Sequence, residues 1–444
     1  MTDELPDQPA PAAVVFAARR TPSQAALDRY GRRMRRNRVI YFSAIGVVVL
    51  ALGIAVGIVW SRGETAHTTL RTAADPAPSV VLQAPSASQE RAWQSSDRTA
   101  IGTPYWGGTV VTYNANSVRG RNARTGAITW SYTRTDRTVC QAIQDQGITV
   151  AIFELNGNCD QVTALDSGTG ERKWTRTLDK DGQPLNGQPS YSMTPYAVLL
   201  STPSVIYTID PSSGLDRWVY HPVGCTIHAA VIGTQGALIS QTCQDPKCNG
   251  RTFCGTGPQL LLRDASAGRS DEDKDKANPD QIKWNLIGTS AVPASADQLI
   301  SAVDPVTGQL QVLALRKGRT LYRHGLQGQV ISSEPIVALA SDHAELLWIA
   351  GTTYAVGLTG ADVLWTTPTP VPPTLTALLA TPGGTPTLRS STVAVANSDG
   401  IVLLDPGTGK PARSFPVGPP PAASLVYPFG TGFVLAGTST TVYR

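Results

Sequence analysis

Three glycines spaced 44 residues apart, Gly126, Gly170 and Gly214, each stand four residues before a tryptophan: Trp130, Trp174 and Trp218. A recurrence of that length marks one supersecondary unit laid down repeatedly, each copy burying its face against the next. Weaker copies follow, with Ala267-Gly268 before Trp284, Gly318 before Tyr322, Thr359-Gly360 before Trp365 and Thr408-Gly409 before Phe415. Within a unit the chain reads as short strands rich in Val, Ile, Thr and aromatics. In the second unit they are Val139–Ala142, Ile148–Phe153, Gln161–Asp166 and Arg172–Thr177, separated by glycine turns. The repeated glycine supplies the positive φ that a tight hairpin needs. Charged residues make up only 16% of the chain and glycines number 41, a balance that suits strands and turns over long exposed helices.

Seven such units, each a four-stranded sheet, predict a β-propeller. The two ends supply an eighth blade. The C-terminal SLVYPFGTGFVLAGTSTTVYR holds three strands with no Gly–aromatic hairpin after them, while Arg91-Ala92-Trp93 offers the missing outer strand and its aromatic. Pairing both ends in one blade closes the ring without an open edge. The expected fold is therefore all-β and eight-bladed over residues 90–444, with seven blades if the ends stay apart.

The motifs Ala164-Leu165-Asp166…Thr169-Gly170…Trp174, Ile209-Asp210-Pro211…Gly214…Trp218 and Leu404-Asp405-Pro406…Thr408-Gly409 resemble the pyrroloquinoline-quinone (PQQ) repeat family. The resemblance covers about residues 90–444 and is specific for fold, not for chemistry. That family includes quinoprotein dehydrogenases, which carry PQQ and calcium, and non-catalytic scaffolds such as the lipoprotein that assists outer-membrane barrel assembly. It implies that the repeated aromatics dock blade against blade, which is also what a large apolar ring at a repeated position does physically. By position these are Trp93, Trp130, Trp174, Trp218, Trp284, Tyr322, Trp365 and Phe415.

Before the repeats lies Val39–Trp60, 22 residues without a charge. As a helix it would be roughly 33 Å long, enough to cross a hydrocarbon core of about 30 Å. Tyr41 and Trp60 suit the two interfaces, and Arg32, Arg33, Arg35, Arg36 and Arg38 abut its N-terminal end. The positive-inside rule then keeps residues 1–38 in the cytoplasm and exports the rest. The apolar run is longer than a signal-peptide core and no Ala-x-Ala site follows, so an uncleaved single-pass anchor is expected. Residues 61–89, rich in Ala, Thr, Ser and Pro, read as a disordered tether. The tail's eight arginines against four acids hold the whole net charge of +4. The remainder is balanced and offers no footprint for nucleic acid.

All six cysteines lie beyond the anchor, an even number for an oxidising compartment. Six permit fifteen pairings, and the strand map favours one. Cys140 opens one strand and Cys159 follows the end of the antiparallel next, while Cys225 and Cys243 occupy matching places two blades on. Cys248 and Cys254 remain to close a small loop. A metal site from Cys243, Cys248 and Cys254 lacks zinc-ribbon spacing and a fourth ligand.

No catalytic motif emerges. There is no adjacent Cys-Cys pair, no His-Glu-x-x-His, no Gly-x-Ser-x-Gly and no Walker loop. Asp271, Asp273 and Asp275 resemble the start of an EF-hand, but Lys276 and Ile282 stand where glycine and glutamate are required, so this stretch reads as a solvated insertion in the fourth blade. His228 falls near an innermost strand and reads as an ordinary core or surface histidine. The expectation is a non-enzymatic binding scaffold at a bacterial cell envelope, gripping a protein partner on the propeller face, without cofactor or metal. The rival readings are a PQQ- and calcium-dependent or other ligand-binding enzyme, and a sensor relaying external binding to the tail.

Overall fold

The structure, a computed structural model, describes residues 41–43, 45–50, 64–81, 83, 85–180, 183–184, 189–244, 255–264, 282–326, 336–341, 343–376, 392–418, 420 and 424–444. The chain divides into two units, Met1–His67 and Thr68–Arg444.

In the first unit, the described residues 41–43 and 45–50 are helical, and the large side chains of Tyr41, Phe42, Ile45, Val47, Val48, Val49 and Leu50 are all exposed. Most of the expected span 39–60 lies outside the described residues. Among those described, no helix is long and apolar enough to cross a membrane.

The second unit is a ring of eight four-stranded antiparallel blades. The second blade comprises Thr138–Asp145, Ile148–Leu155, Asn158–Asp166 and Arg172–Thr177, the four strands read from sequence with longer ends. The third runs through Ser190–Thr194, Ala197–Ser201, Ile206–Ile209 and Asp216–Tyr220, and the fourth through Cys225–Gly233, Gly236–Cys243, Gly257–Arg263 and Ile282–Ile287. The fifth begins at Val292–Ala296, the sixth at Val337–Ala340 and the seventh at Thr374–Thr376. In the first blade Thr109–Tyr113, Ser117–Asn122 and Ile128–Arg134 follow a broken inner strand, Arg98–Thr99 and Tyr105–Trp106. Between those pieces Ile101–Gly102 crosses to pair in parallel with Ile143 and Gln144 of the second blade.

The eighth blade is built from both ends of the ring. Leu425–Phe429, Gly432–Ala436 and Thr440–Tyr443 are completed by Arg91–Ser95 as outermost strand, with Trp93 opposite Val442. Buried apolar side chains among the described residues fall into eight clusters, each straddling two successive blades. The last joins Phe429, Val434 and Val442 of the eighth blade to Val110 and Ala123 of the first, so the core itself is a closed ring.

The reading of residues 61–89 as a disordered tether is corrected from Thr68 onward. Thr68–Arg71 forms a fifth strand on the outer edge of the first blade, Thr68 opposite Arg134 and Arg71 opposite Ser131. The described residues of 73–86 then lie against the ring, where Ala73, Gln83 and Ser86 donate their N–H groups to Thr169, Gly430 and Thr431. The composition misled because this strap rests mostly on backbone contacts, with Ala73 and Val80 packing only partly against the ring's core. Ala77 is its one buried side chain among the described residues, so it has no apolar periodicity to read. Asp271, Asp273, Asp275 and Lys276, with Cys248 and Cys254, lie outside the described residues.

Candidate interaction surface

Antiparallel blades give the ring two faces. One carries the turns joining first to second and third to fourth strands; the other carries the crossovers between blades and the second-to-third turns. The repeat motif is spent on the first of these faces. In all eight blades the outer strand shifts register immediately before one position, which faces the third strand: Trp130 opposite Gly120, Trp174 opposite Ala164, Trp218 opposite Thr208, Trp284 opposite Leu262, Tyr322 opposite Val312, Trp365 opposite Ala355, Arg413 opposite Leu403 and Trp93 opposite Val442. Such a bulge re-aims a side chain, here toward the neighbouring blade.

Five indoles donate N–H to a carbonyl in the next blade's turn. Trp93 reaches Ala123 O at 2.8 Å, Trp130 Ser167 O at 3.0 Å, Trp174 Pro211 O at 2.9 Å, Trp284 Leu315 O at 3.0 Å and Trp365 Pro406 O at 2.9 Å. The same rings cover the turn glycines Gly126, Gly170, Gly214, Gly318 and Gly409, where an added Cβ would sit 2.4–2.9 Å from the indole. The glycine is therefore required twice, by its positive φ and by the ring from the preceding blade. The tryptophan four residues later does not touch that glycine's turn but serves the following one.

The remaining aromatics show how the scheme bends. In the sixth blade Ala361 takes the positive-φ place at +59°, which is why Trp365 stands five residues beyond Gly360 rather than four. Tyr322 packs in the cluster spanning blades five and six. Trp218 faces the fourth blade, where the expected tight turn is replaced by an insertion, and Arg263 lies over its ring at 4.6 Å instead. Arg413 holds the position after the bulge, and Phe415 docks the seventh blade on the eighth from farther along the strand. Phe415 is buried two residues on, edge-to-face with Phe433 at 5.0 Å. The physical reason is that blade eight has no third-to-fourth turn to receive an aromatic, since its outer strand comes from residues 91–95. In its place the backbones of Glu90 and Arg444 exchange two hydrogen bonds.

The crossover face is fastened by covalent and ionic contacts. Cys140–Cys159 and Cys225–Cys243 are disulfides with Cα separations of 6.2 and 3.9 Å. Their places do not match as the sequence suggested. Cys225 and Cys243 are direct partners on adjacent strands, whereas Cys140 lies in the bulge of a first strand and Cys159 opens the third. At the ring's seam, Asp97 accepts hydrogen bonds from Arg121 at 2.7 Å and Arg119 at 3.1 Å, and the Thr440 hydroxyl donates to its backbone carbonyl. Burial alone would raise the Asp97 carboxyl, but the two guanidinium groups hold it below its usual range. Two other carboxyls have no such cations. Burial pushes Asp145 up to about 6 and Glu345 up to about 7.

Among the described residues one set of three possible ligands converges within 4.8 Å, Cys140, Glu154 and Cys159, and its sulfurs are joined to each other. A disulfide lacks the thiolate that binds metal. His228 is on the first strand of blade four, exposed, its Nε2 2.8 Å from the Thr242 hydroxyl.

Residues 77–269 match a family model described as outer membrane protein assembly factor BamB. No curated protein matches the chain significantly. Among solved structures, the computationally designed Ika8 protein aligns at 13% identity with a TM-score of 0.50, over 83% of this chain and 100% of its own. BamB from Moraxella catarrhalis aligns at 16% identity and a TM-score of 0.45, over 82% of this chain and 100% of that one. The quinohemoprotein alcohol dehydrogenase ADHIIG from Pseudomonas putida HK5 gives 12% and 0.49, over 80% and 76%.

Proposed function

We propose that this PQQ-repeat-like β-propeller, whose residues 77–269 match that family model, is a non-catalytic protein-binding scaffold of the cell envelope, held to the membrane by residues 39–60 with its tail in the cytoplasm and its propeller outside. The observation that carries this reading is the match of residues 77–269 to an outer-membrane assembly factor, a protein whose described role is assembly rather than catalysis. Two disulfides suit an oxidising compartment. The exposed apolar side chains of the helical residues 41–43 and 45–50 call for a hydrophobic surrounding, which a bilayer supplies.

The test is crosslinking of the full-length chain in its native membrane, with mass spectrometry of what is captured and a propeller-less anchor as control. A reproducible envelope protein mapped to one propeller face is the expected result. Capture no richer than the control, together with saturable binding of PQQ and calcium by the purified chain, overturns the reading in favour of an enzyme.

A further inference from the structure

The strap crosses the turns of three blades on one face. Ala73 donates its N–H to Thr169 O, Gln83 to Gly430 O and Ser86 to Thr431 O, all at 2.9 Å. Pro76 passes Gly168, the Pro78 carbonyl passes Gly108, Ser79 passes Gly107 and Val80 passes Gly430. Gly108 is informative because its backbone has no need of glycine: its φ is not positive. Yet a Cβ there would lie 2.0 Å from Pro78 O. The three atoms nearest to such a Cβ all belong to Ala77 and Pro78 of the extended chain passing over it.

Three carbonyl acceptors and a glycine floor, contributed by blades two, one and eight, make a groove shaped for an extended backbone. The strap fills it with little side-chain burial, Ala73 and Val80 packing partly against the core. Among the strap's described residues only Ala77 is buried. The fifth strand leading into it, Thr68–Arg71, buries none of its side chains. Ring closure does not depend on it, because Arg91–Ser95 pairs with Thr440–Tyr443 independently. At the groove's margin Trp106 packs on Gly147 yet stays 44% exposed, although the strap runs past the adjacent Gly107. An indole left half open beside a channel for proline-containing chain is the arrangement that recognises polyproline-type ligands.

Building on the scaffold reading, we propose that this groove is the docking site for an extended, proline-containing segment of small residues in a partner protein, and that residues 72–86 occupy it in cis until displaced. Partner binding exchanges one extended chain for another and adds the uncovered face of Trp106. The weak hold of the strap keeps the cost of exchange low.

The probe is a labelled synthetic peptide of residues 72–86, titrated onto the full chain and onto Ala77→Arg, whose side chain cannot enter the buried site and so lifts the strap. The peptide is expected to bind the variant saturably and at least about tenfold more tightly than the wild type, whose own strap competes. Adding Gly108→Val should abolish that binding. A folded Ala77→Arg chain that binds no better than wild type, or a Gly108→Val double variant that binds as well, overturns the proposal. Should Ala77→Arg not fold, hydrogen exchange of the wild type decides: the amides of Ala73, Gln83 and Ser86 should exchange about a hundredfold faster than those of Thr440–Tyr443, and equal protection rejects a displaceable strap. An envelope protein crosslinked to another face, with the peptide negative, sinks this inference and leaves the scaffold reading standing.

Discussion

Glu345 is fully buried between the fifth and sixth blades, with Oε2 accepting the Leu299 N–H at 2.8 Å and no partner for Oε1 among the described residues. Desolvation is the dominant influence on it, opposed by the hydrogen bonds from Ser295 and Leu299 and reinforced by the charge of Asp297. The folded chain therefore keeps this proton to about pH 7, whereas the unfolded chain gives it up near 4.5. The stabilising contribution is complete below about 4.5, shrinks as pH rises and is gone above about 7. Glu345→Gln should flatten that part of the stability–pH curve in urea titrations; a variant curve parallel to the wild type's refutes it. At the docking turns, Gly170→Ala should cost well above the roughly 1 kcal/mol of an ordinary Gly→Ala exchange in the wrong conformation, because the new Cβ meets the Trp130 ring at 2.6 Å as well. Trp130→Ala, emptying the same contact from the other side, should cost about 3–5 kcal/mol. Since the two groups touch, the double variant should lose less than the sum. Additive losses in denaturant unfolding would show that ring and glycine act separately.

Elements made of repeats announce themselves, and those that rest on backbone do not. The Gly–Trp spacing exposed the blades because each copy needs the same positive φ and the same ring, and Trp93 exposed the closing strand for the same reason. Which blade each member of the motif serves was not legible, because a turn and its docking ring are neighbours in space but about 30–40 residues apart in sequence, as with Trp93 and Ala123 or Trp365 and Pro406. Phe415 packs on blade eight from two residues beyond the bulge, a shift that could not be read because an aromatic near a Thr-Gly looks the same whether or not a turn awaits it. The strap left no signal at all, since chain held by carbonyls and glycines has the composition of a free tether. The cysteine pairs were legible through strand adjacency, although their unequal geometry was not. For loops of this size each disulfide should contribute about 2–4 kcal/mol. Replacing Cys140 and Cys159 together by serine should lower the urea midpoint accordingly, and an unchanged midpoint would mean the crossover face is held without them.

At the scale of the whole molecule, stability is shared among eight blade interfaces, none of which is terminal. The seam between blades eight and one is the one interface made by strands from opposite ends of the ring, and Asp97 with Arg119 and Arg121 reinforces it. Removing Arg91–Ser95 should therefore weaken the entire ring rather than fray one blade, converting a single cooperative transition into a broader one; retention of one sharp transition in calorimetry would contradict that. The same seam governs how the protein is made. Synthesis delivers Trp93 long before its partner Val442, so the closing strand has nothing to pair with until Thr440–Tyr443 has emerged from the ribosome. An interrupted chain keeps an exposed strand edge and an undocked indole, a ready mark for proteases and chaperones. Thr440–Tyr443 thus act as a latch, since the ring seals only once that strand is present to take up Arg91–Ser95.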